Sequence, residues 1–212
     1  MKSRADYLFW ISFSAFALFS AVVATRLLHP IDAWILRAGQ SQASEALDTV
    51  GVLLSLPGTA EYTGAAIFAL CAGLFLASRR SLAGRLLAVF VVTGLVEFAM
   101  KTWVPQVPVP DEAARAPDPS PLLEVHYRYP YPSGHMLRAV IVLGAVFLLW
   151  PNRLLRTAVL VLLFGLAVSR VYLGTHWPSD VTGGALLGVA GLAWVFRQEA
   201  SGIRHQREKA EA

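Results

Sequence analysis

The chain has little charge and almost no cysteine. Of its 212 residues, only 15% are Asp, Glu, Lys or Arg, and 56% are hydrophobic. Soluble domains carry roughly 25% charged residues. The composition and the mean hydropathy of +0.54 therefore exclude an ordinary soluble protein and indicate a polytopic membrane protein. The single cysteine, Cys71, excludes an intrachain disulfide and a zinc site built from several cysteines.

Long uncharged runs predict the membrane spans. We expect an all-α bundle that forms one domain over residues 1–212, with six transmembrane helices near residues 7–25, 62–78, 86–104, 135–150, 157–170 and 181–196. Lys2 and Arg4 precede the first run, so a cleaved signal peptide is the alternative there. Because five further spans follow, we interpret the first run as an uncleaved anchor.

Three stretches between and after the spans are less apolar. Residues 26–61 place apolar side chains near helical spacing among polar ones, which predicts an amphipathic helix along the membrane interface or a short cap on the bundle. The loop 105–131 is rich in proline, acids and aromatics, and we expect it to border the functional site. The tail 197–212 is polar and is expected to extend into solvent.

Lys and Arg are distributed unevenly between the two sets of loops. The richer set holds Lys2, Arg4, Arg79, Arg80, Arg85, Arg153, Arg156, Arg197, Arg204, Arg207 and Lys209. Cytoplasmic loops carry the excess of positive charge. We therefore expect both termini in the cytoplasm of a bacterial cell, in its inner membrane, with the opposite loops facing the periplasm or exterior.

Polar clusters stand at the ends of four of the predicted spans. Lys101 ends the third span, residues 132–135 (Pro-Ser-Gly-His) begin the fourth, Arg170 ends the fifth, and residues 176–180 begin the sixth. Chain parity places all of these positions on the same, outer face of the membrane. Histidines, a carboxylate and cations gathered there suit phosphoryl chemistry.

His176 and Asp180 are four residues apart, so on a helix they lie on one face. A carboxylate bonded to one ring nitrogen fixes the tautomer and directs the other nitrogen outward, as a nucleophilic or basic histidine requires. The alternative is a helix cap beside an incidental interfacial histidine.

The start of the fourth span offers a second candidate site. Helix N-termini attract anions, Ser133 adds a hydroxyl, and Gly134 permits close backbone approach. A plain helix cap with a surface histidine, His135, is the alternative. Lys101 and Arg170 are either anion ligands or cations that extend to the interface, and Glu97 is placed to orient Lys101 through an i,i+4 pair.

Taken together, these residues resemble the type 2 phosphatidic acid phosphatase superfamily, the membrane branch of the acid phosphatase and vanadium haloperoxidase group. That family carries K-x6-R-P, P-S-G-H and S-R-x5-H-x3-D. Residues 169–180 match every fixed position of the third motif, and residues 132–135 match the second completely. The first motif is broken, because Pro108 and Val109 stand where arginine and proline are expected after Lys101.

The resemblance implies a role for each matched residue. It implies that His176 attacks phosphorus to form a phosphohistidine, that Asp180 orients it, and that His135 protonates the leaving oxygen and then helps to activate water. It further implies that the phosphoryl oxygens are held by Lys101, Ser133, Gly134 and Arg170. It implies no metal and no cofactor.

A replacement for the missing first-motif arginine is needed in the phosphate site. Arg138 is three residues after His135 and shares its helix face, so we predict that it binds the phosphate. Arg128 and Arg115 in the loop are the other candidates. Two alternatives remain: the site has one cation fewer, or Arg138 pairs with Glu61 or Glu97 and serves folding.

The leading interpretation is an extracytoplasmic lipid phosphatase that acts on a phosphomonoester or diphosphate in the bilayer. Polyprenyl diphosphate, phosphatidate, phosphatidylglycerol phosphate and lipid A phosphate all fit. The alternatives are a lipid-to-lipid phosphotransferase and a non-catalytic lipid-phosphate binder or transporter. The expected partners are the lipid substrate and the bilayer, with no nucleic acid; the oligomeric state is left open.

Overall fold

The computed structural model describes residues 4–116 and 127–210. Over those residues the protein consists of eight α-helices, with short 3-10 turns and no strand. The helices are α1 (Arg4–Ala24), α2 (His29–Gln40), α3 (Glu45–Ser55), α4 (Ala60–Leu76), α5 (Arg80–Trp103), α6 (Gly134–Leu149), α7 (Arg153–Tyr172) and α8 (Pro178–Ala210). The all-α class is therefore confirmed.

Each predicted span corresponds to one helix. Within the described residues, five segments are long and apolar enough to cross a membrane: Asp6–Ala24, Glu45–Leu76, Arg80–Trp103, Arg153–Tyr172 and Pro178–Arg197. The shorter apolar helix Gly134–Leu149 supplies the sixth. Helix α5 begins at Arg80 rather than near residue 86, so Arg80 and Arg85, which the sequence analysis counted with the loops, lie in its first two turns.

The segment after the first span forms two helices rather than the continuous one expected. Helix α2 keeps the amphipathic character, with Ile31 and Trp34 exposed. The chain then breaks, and α3 starts where the Ser44 side chain accepts a hydrogen bond from the Leu47 amide at 3.3 Å. Only a 3-10 turn at Leu56–Gly58 separates α3 from α4, so α3 is continuous with a membrane-crossing segment.

Helix α8 packs against α1, α5 and α6, which places it at the centre of the bundle. Close approach between α6 and α8 depends on Gly184, where an added Cβ would collide with the Ser133 carbonyl oxygen. Small residues at helix contacts are typical of membrane bundles, where packing and hydrogen bonding replace the hydrophobic effect between helices. This contact brings the starts of α6 and α8 together.

Candidate active site

The predicted site residues meet at one end of the bundle, where α5 and α7 end and α6 and α8 begin. The Ser133 amide donates to the Asp180 carbonyl oxygen at 2.9 Å and ties the second motif to the third. All of the residues that match fixed positions of the family motifs are buried: Lys101, Pro132, Ser133, Gly134, His135, Ser169, Arg170, His176 and Asp180.

His176 and Asp180 contact each other as their spacing predicts. The His176 Nδ1 atom lies 3.3 Å from Asp180 Oδ2, and the same oxygen accepts a hydrogen bond from the Trp177 amide at 2.9 Å. A carboxylate in this position keeps the ring proton on Nδ1 and leaves the lone pair on Nε2. The geometry therefore provides an oriented imidazole with a nucleophilic nitrogen.

The surroundings of His176 also favour its neutral form. Burial lowers the pKa of His176 below its ordinary value, and the positive charges of Lys101 and Arg170 lower it further. Removal from water disfavours the charged imidazolium, and nearby cations repel it. A neutral imidazole is the form that can attack phosphorus.

The backbone of Arg170 binds the turn that carries His176, and the Arg170 side chain makes a hydrogen bond beside it. Its carbonyl oxygen accepts hydrogen bonds from the Thr175 and His176 amides, both at 3.2 Å. Its Nη1 donates to Ser55 Oγ at 3.4 Å, and Ser55 Oγ lies 3.0 Å from Ser169 Oγ. Ser55, in α3, was not predicted; its only signal is a lone hydroxyl residue in an apolar segment.

Glu97 pairs with two cations, Lys101 near the end of α5 and Arg138 near the start of α6. Its Oε1 lies 3.3 Å from Lys101 Nζ and its Oε2 lies 3.0 Å from Arg138 Nη1. The sequence suggested the i,i+4 pair of Glu97 with Lys101. It offered Glu61 and Glu97 as partners for Arg138, and the structure contains the pair with Glu97. Arg138 Nε is buried and makes no hydrogen bond to the described residues.

Gly134 is required here for a reason that the motif did not reveal. A Cβ atom at Gly134 would overlap the Glu97 carboxylate, and it would lie 2.7 Å from Arg138 Nη1. The absence of a side chain lets the Glu97 carboxylate reach the first turn of α6. Next to Gly134, the buried Ser133 Oγ neither accepts nor donates a hydrogen bond among the residues that the structure describes.

The two loop arginines considered as substitutes make contacts with loop or neighbouring helix residues. Arg115 donates to Asp48 through Nε at 3.2 Å and Nη2 at 3.0 Å, and Asp48 also accepts from the Tyr172 hydroxyl at 2.6 Å. Arg128 stands over the Tyr129 ring, 5.3 Å from its centroid. Residues 117–126 of the outer loop lie outside the described residues, so their predicted position beside the site stays a prediction.

The described part of the chain contains no group of three or more His, Cys, Asp or Glu side chains arranged to hold a metal ion.

The model of the PAP2 superfamily matches residues 82–203, more than half of the chain. The chain belongs to the PAP2 superfamily. The matched region runs from α5 into α8 and contains all three motif segments. The PAP2 match and the apolar helices together identify the chain as an integral membrane protein.

Two solved structures share the fold. The transmembrane PAP2-type phosphatidylglycerolphosphate phosphatase from Bacillus subtilis superposes with a TM-score of 0.74 at 23% identity, covering 92% of this chain and 97% of that one. LpxE from Aquifex aeolicus superposes with a TM-score of 0.55 at 23% identity, covering 76% and 92% respectively. At these identities the likeness concerns the fold alone.

A curated relative matches a short segment more strongly. The putative undecaprenyl-diphosphatase YbjG of Escherichia coli (strain K12) is 39% identical over 61 residues. The match spans 29% of this chain and 30% of the relative's length.

Proposed function

We propose that this PAP2 protein is a membrane lipid phosphatase that hydrolyses a phosphomonoester or diphosphate through a phosphohistidine. The observation that carries the proposal is the buried His176, with Asp180 at Nδ1 and Lys101 and Arg170 close enough to lower its pKa. One relative is named as a putative undecaprenyl-diphosphatase and a solved structure as a phosphatidylglycerolphosphate phosphatase, and these names support the substrate class.

In the proposed first step, His176 Nε2 attacks phosphorus and the bond to the leaving oxygen breaks. His135 gives its proton to that oxygen. In the second step, His135 accepts a proton from water as the water oxygen attacks phosphorus and the bond to Nε2 breaks. Asp180 keeps the ring proton on Nδ1 throughout.

Charge develops on the non-bridging oxygens during both steps, and fixed donors must stabilise it. We assign this role to Lys101, Arg170, the Ser133 hydroxyl, the Gly134 amide and Arg138. The unpartnered Ser133 Oγ and Arg138 Nε supply donors that no described residue uses. In this arrangement Arg138 takes the place of the missing first-motif arginine, while its Nη1 donates to Glu97.

The charge distribution of the loops supports an extracytoplasmic site with both termini in the cytoplasm. The substrate head group would then lie at the outer water boundary and its chains would lie among the spans. Reaction through a phosphohistidine requires no metal ion.

The test is phosphate release from a panel of pure lipid phosphates by the purified protein in detergent, with EDTA present. The panel contains polyprenyl diphosphate, phosphatidate, phosphatidylglycerol phosphate and lipid A phosphate. We expect vanadate-sensitive release from at least one lipid and none from the His176→Ala variant. Transfer of labelled phosphate to a second lipid would instead identify a phosphotransferase, and binding without turnover would identify a carrier.

A further inference from the structure

A buried aspartate outside the three motifs contacts the turn that carries the candidate nucleophile. Asp32 lies on α2 and is 2% exposed. Its Oδ1 accepts from the Ser179 amide at 3.0 Å and its Oδ2 accepts from the Ser179 hydroxyl at 2.7 Å. Ser179 directly precedes Asp180, so both carboxylate oxygens of Asp32 hold the residue next to the one that orients His176.

The start of α8 explains why this contact is needed. The first amides of a helix have no partner within the helix, and the preceding residue usually supplies a capping oxygen. Here that residue is Trp177, whose side chain cannot accept a hydrogen bond. Pro178 has no amide hydrogen, and the Asp180 amide donates to the Trp177 carbonyl at 3.0 Å. The Ser179 amide needs an acceptor from outside α8, and the Asp32 carboxylate on α2 supplies it.

The segment that follows Lys101 holds the same turn from another direction. Gln106, 2% exposed, donates through Nε2 to Ser179 Oγ at 2.9 Å. The Trp177 indole donates through Nε1 to the Val107 carbonyl at 2.6 Å. Residues 176–180 are thus fixed on one side by α2 and on the other by the segment in which the first motif is broken.

We propose that Asp32 is a positioning residue for the reaction, acting through Ser179 to fix the turn from which His176 and Asp180 project. The inference rests on the proposed function, because it concerns the aim of the attacking nitrogen. Both of its carboxylate oxygens accept hydrogen bonds from Ser179, so Asp32 acts on the reaction through that residue. It sets the direction of the Asp180 carboxylate and hence of the imidazole bonded to it, and displacement of a reacting group by about 1 Å reduces rates roughly 100-fold.

The first experiment compares kcat, KM and vanadate inhibition for Asp32→Ala, Asp32→Asn and Asp48→Ala in detergent. Asp48→Ala is the matched control, because the Asp48 side chain also joins separate elements by hydrogen bonds, to Arg115 and Tyr172, and among the described residues it has no hydrogen bond to the turn 176–180. For Asp32→Ala we expect kcat to fall about 10- to 100-fold with KM within about twofold. Vanadate inhibition should weaken in parallel, since vanadate mimics the transition state and its binding depends on a correctly oriented His176 Nε2.

The conservative variant separates positioning from folding. Asp32→Asn keeps one oxygen for the Ser179 amide but has no second acceptor for the Ser179 hydroxyl, so it should recover part of the lost kcat. Asp32→Ala should cost less kcat in a Ser179→Ala background than in the wild-type protein, because one of the two hydrogen bonds that it removes is already absent there. Normal kcat and vanadate inhibition in folded Asp32→Ala protein would overturn the proposal.

A second experiment does not depend on turnover. Amide hydrogen exchange over residues 176–181 should be faster in Asp32→Ala than in wild-type protein and in Asp48→Ala. Unchanged exchange there would also overturn the proposal. If the wild-type protein releases phosphate from no lipid, the proposed function fails instead, and exchange still decides whether Asp32 holds the turn.

Discussion

At the scale of single residues, the motif positions were predictable because their chemistry leaves a fixed spacing in the chain. The four-residue interval between His176 and Asp180 predicted a contact that the structure contains at 3.3 Å. Asp32 and Gln106 were not predictable, because their partner Ser179 is distant in sequence and a lone polar residue carries no spacing signal. Only the folded bundle brings them to the turn.

Replacement of the candidate nucleophile should remove turnover without unfolding the protein. His176→Ala is expected to reduce phosphate release to background, whereas Asp180→Asn should retain more activity, with a loss of roughly 10²–10⁴-fold typical of a helper group. Circular dichroism and size-exclusion profiles in detergent serve as the folding control. Substantial release by His176→Ala would exclude the phosphohistidine.

The substitute cation can be tested in the same assay. Arg138→Ala should lower kcat/KM at least tenfold, about 1.4 kcal/mol of transition-state stabilisation. Arg138→Lys should recover only part, because lysine lacks the planar paired donors. Thermal stability must be measured in parallel, since the change also leaves Glu97 with one cation fewer.

The competing explanation for Arg138 makes the opposite prediction. If the ion pair with Glu97 serves folding alone, Arg138→Ala will lower the melting temperature while the folded fraction keeps near-normal kcat/KM. Glu97→Gln is the companion variant, because it removes the carboxylate that joins Arg138 to Lys101 and keeps the side-chain volume.

At the scale of helices, the apolar runs predicted the number and order of the spans but missed how residues 26–61 are divided. Hydropathy registers the average polarity of that segment, whereas the break between α2 and α3 depends on a local cap at Ser44. The close contact of α6 with α8 was likewise unpredictable. Glycine at 184 is an ordinary residue in the sequence, and its purpose is visible only against the Ser133 carbonyl.

A methyl group at that contact should separate the two helices. Gly184→Ala is expected to lower the free energy of unfolding by about 1–3 kcal/mol, as overpacking does, and to reduce kcat by displacing Ser133 from the site. Gly94→Ala on α5 is the matched control, because a Cβ there would meet no atom of the described residues within 4 Å apart from the nearby backbone of its own helix. Equal stability and activity of the two variants would contradict the role assigned to the contact.

At the scale of the whole molecule, the membrane orientation that the loop charges predict can be tested by labelling. In a Cys71→Ala background, Glu112→Cys should react with a membrane-impermeant thiol reagent in intact cells, and Asn152→Cys should not. Both positions are exposed in the structure, so a difference between them reports the side of the membrane. Both should react in permeabilised cells, and the reverse pattern in intact cells would turn the site toward the cytoplasm.

The contact between the first and last spans bears on how the protein is made. Helix α8 packs against α1 and brings His176 and Asp180 to Ser133, so neither the bundle nor the site is whole until the last span has entered the bilayer. A nascent chain that has inserted only α1 to α7 carries the cations but not the turn at 176–180. In the order of synthesis, His176, the proposed nucleophile, therefore joins the site after the cations and the other helices.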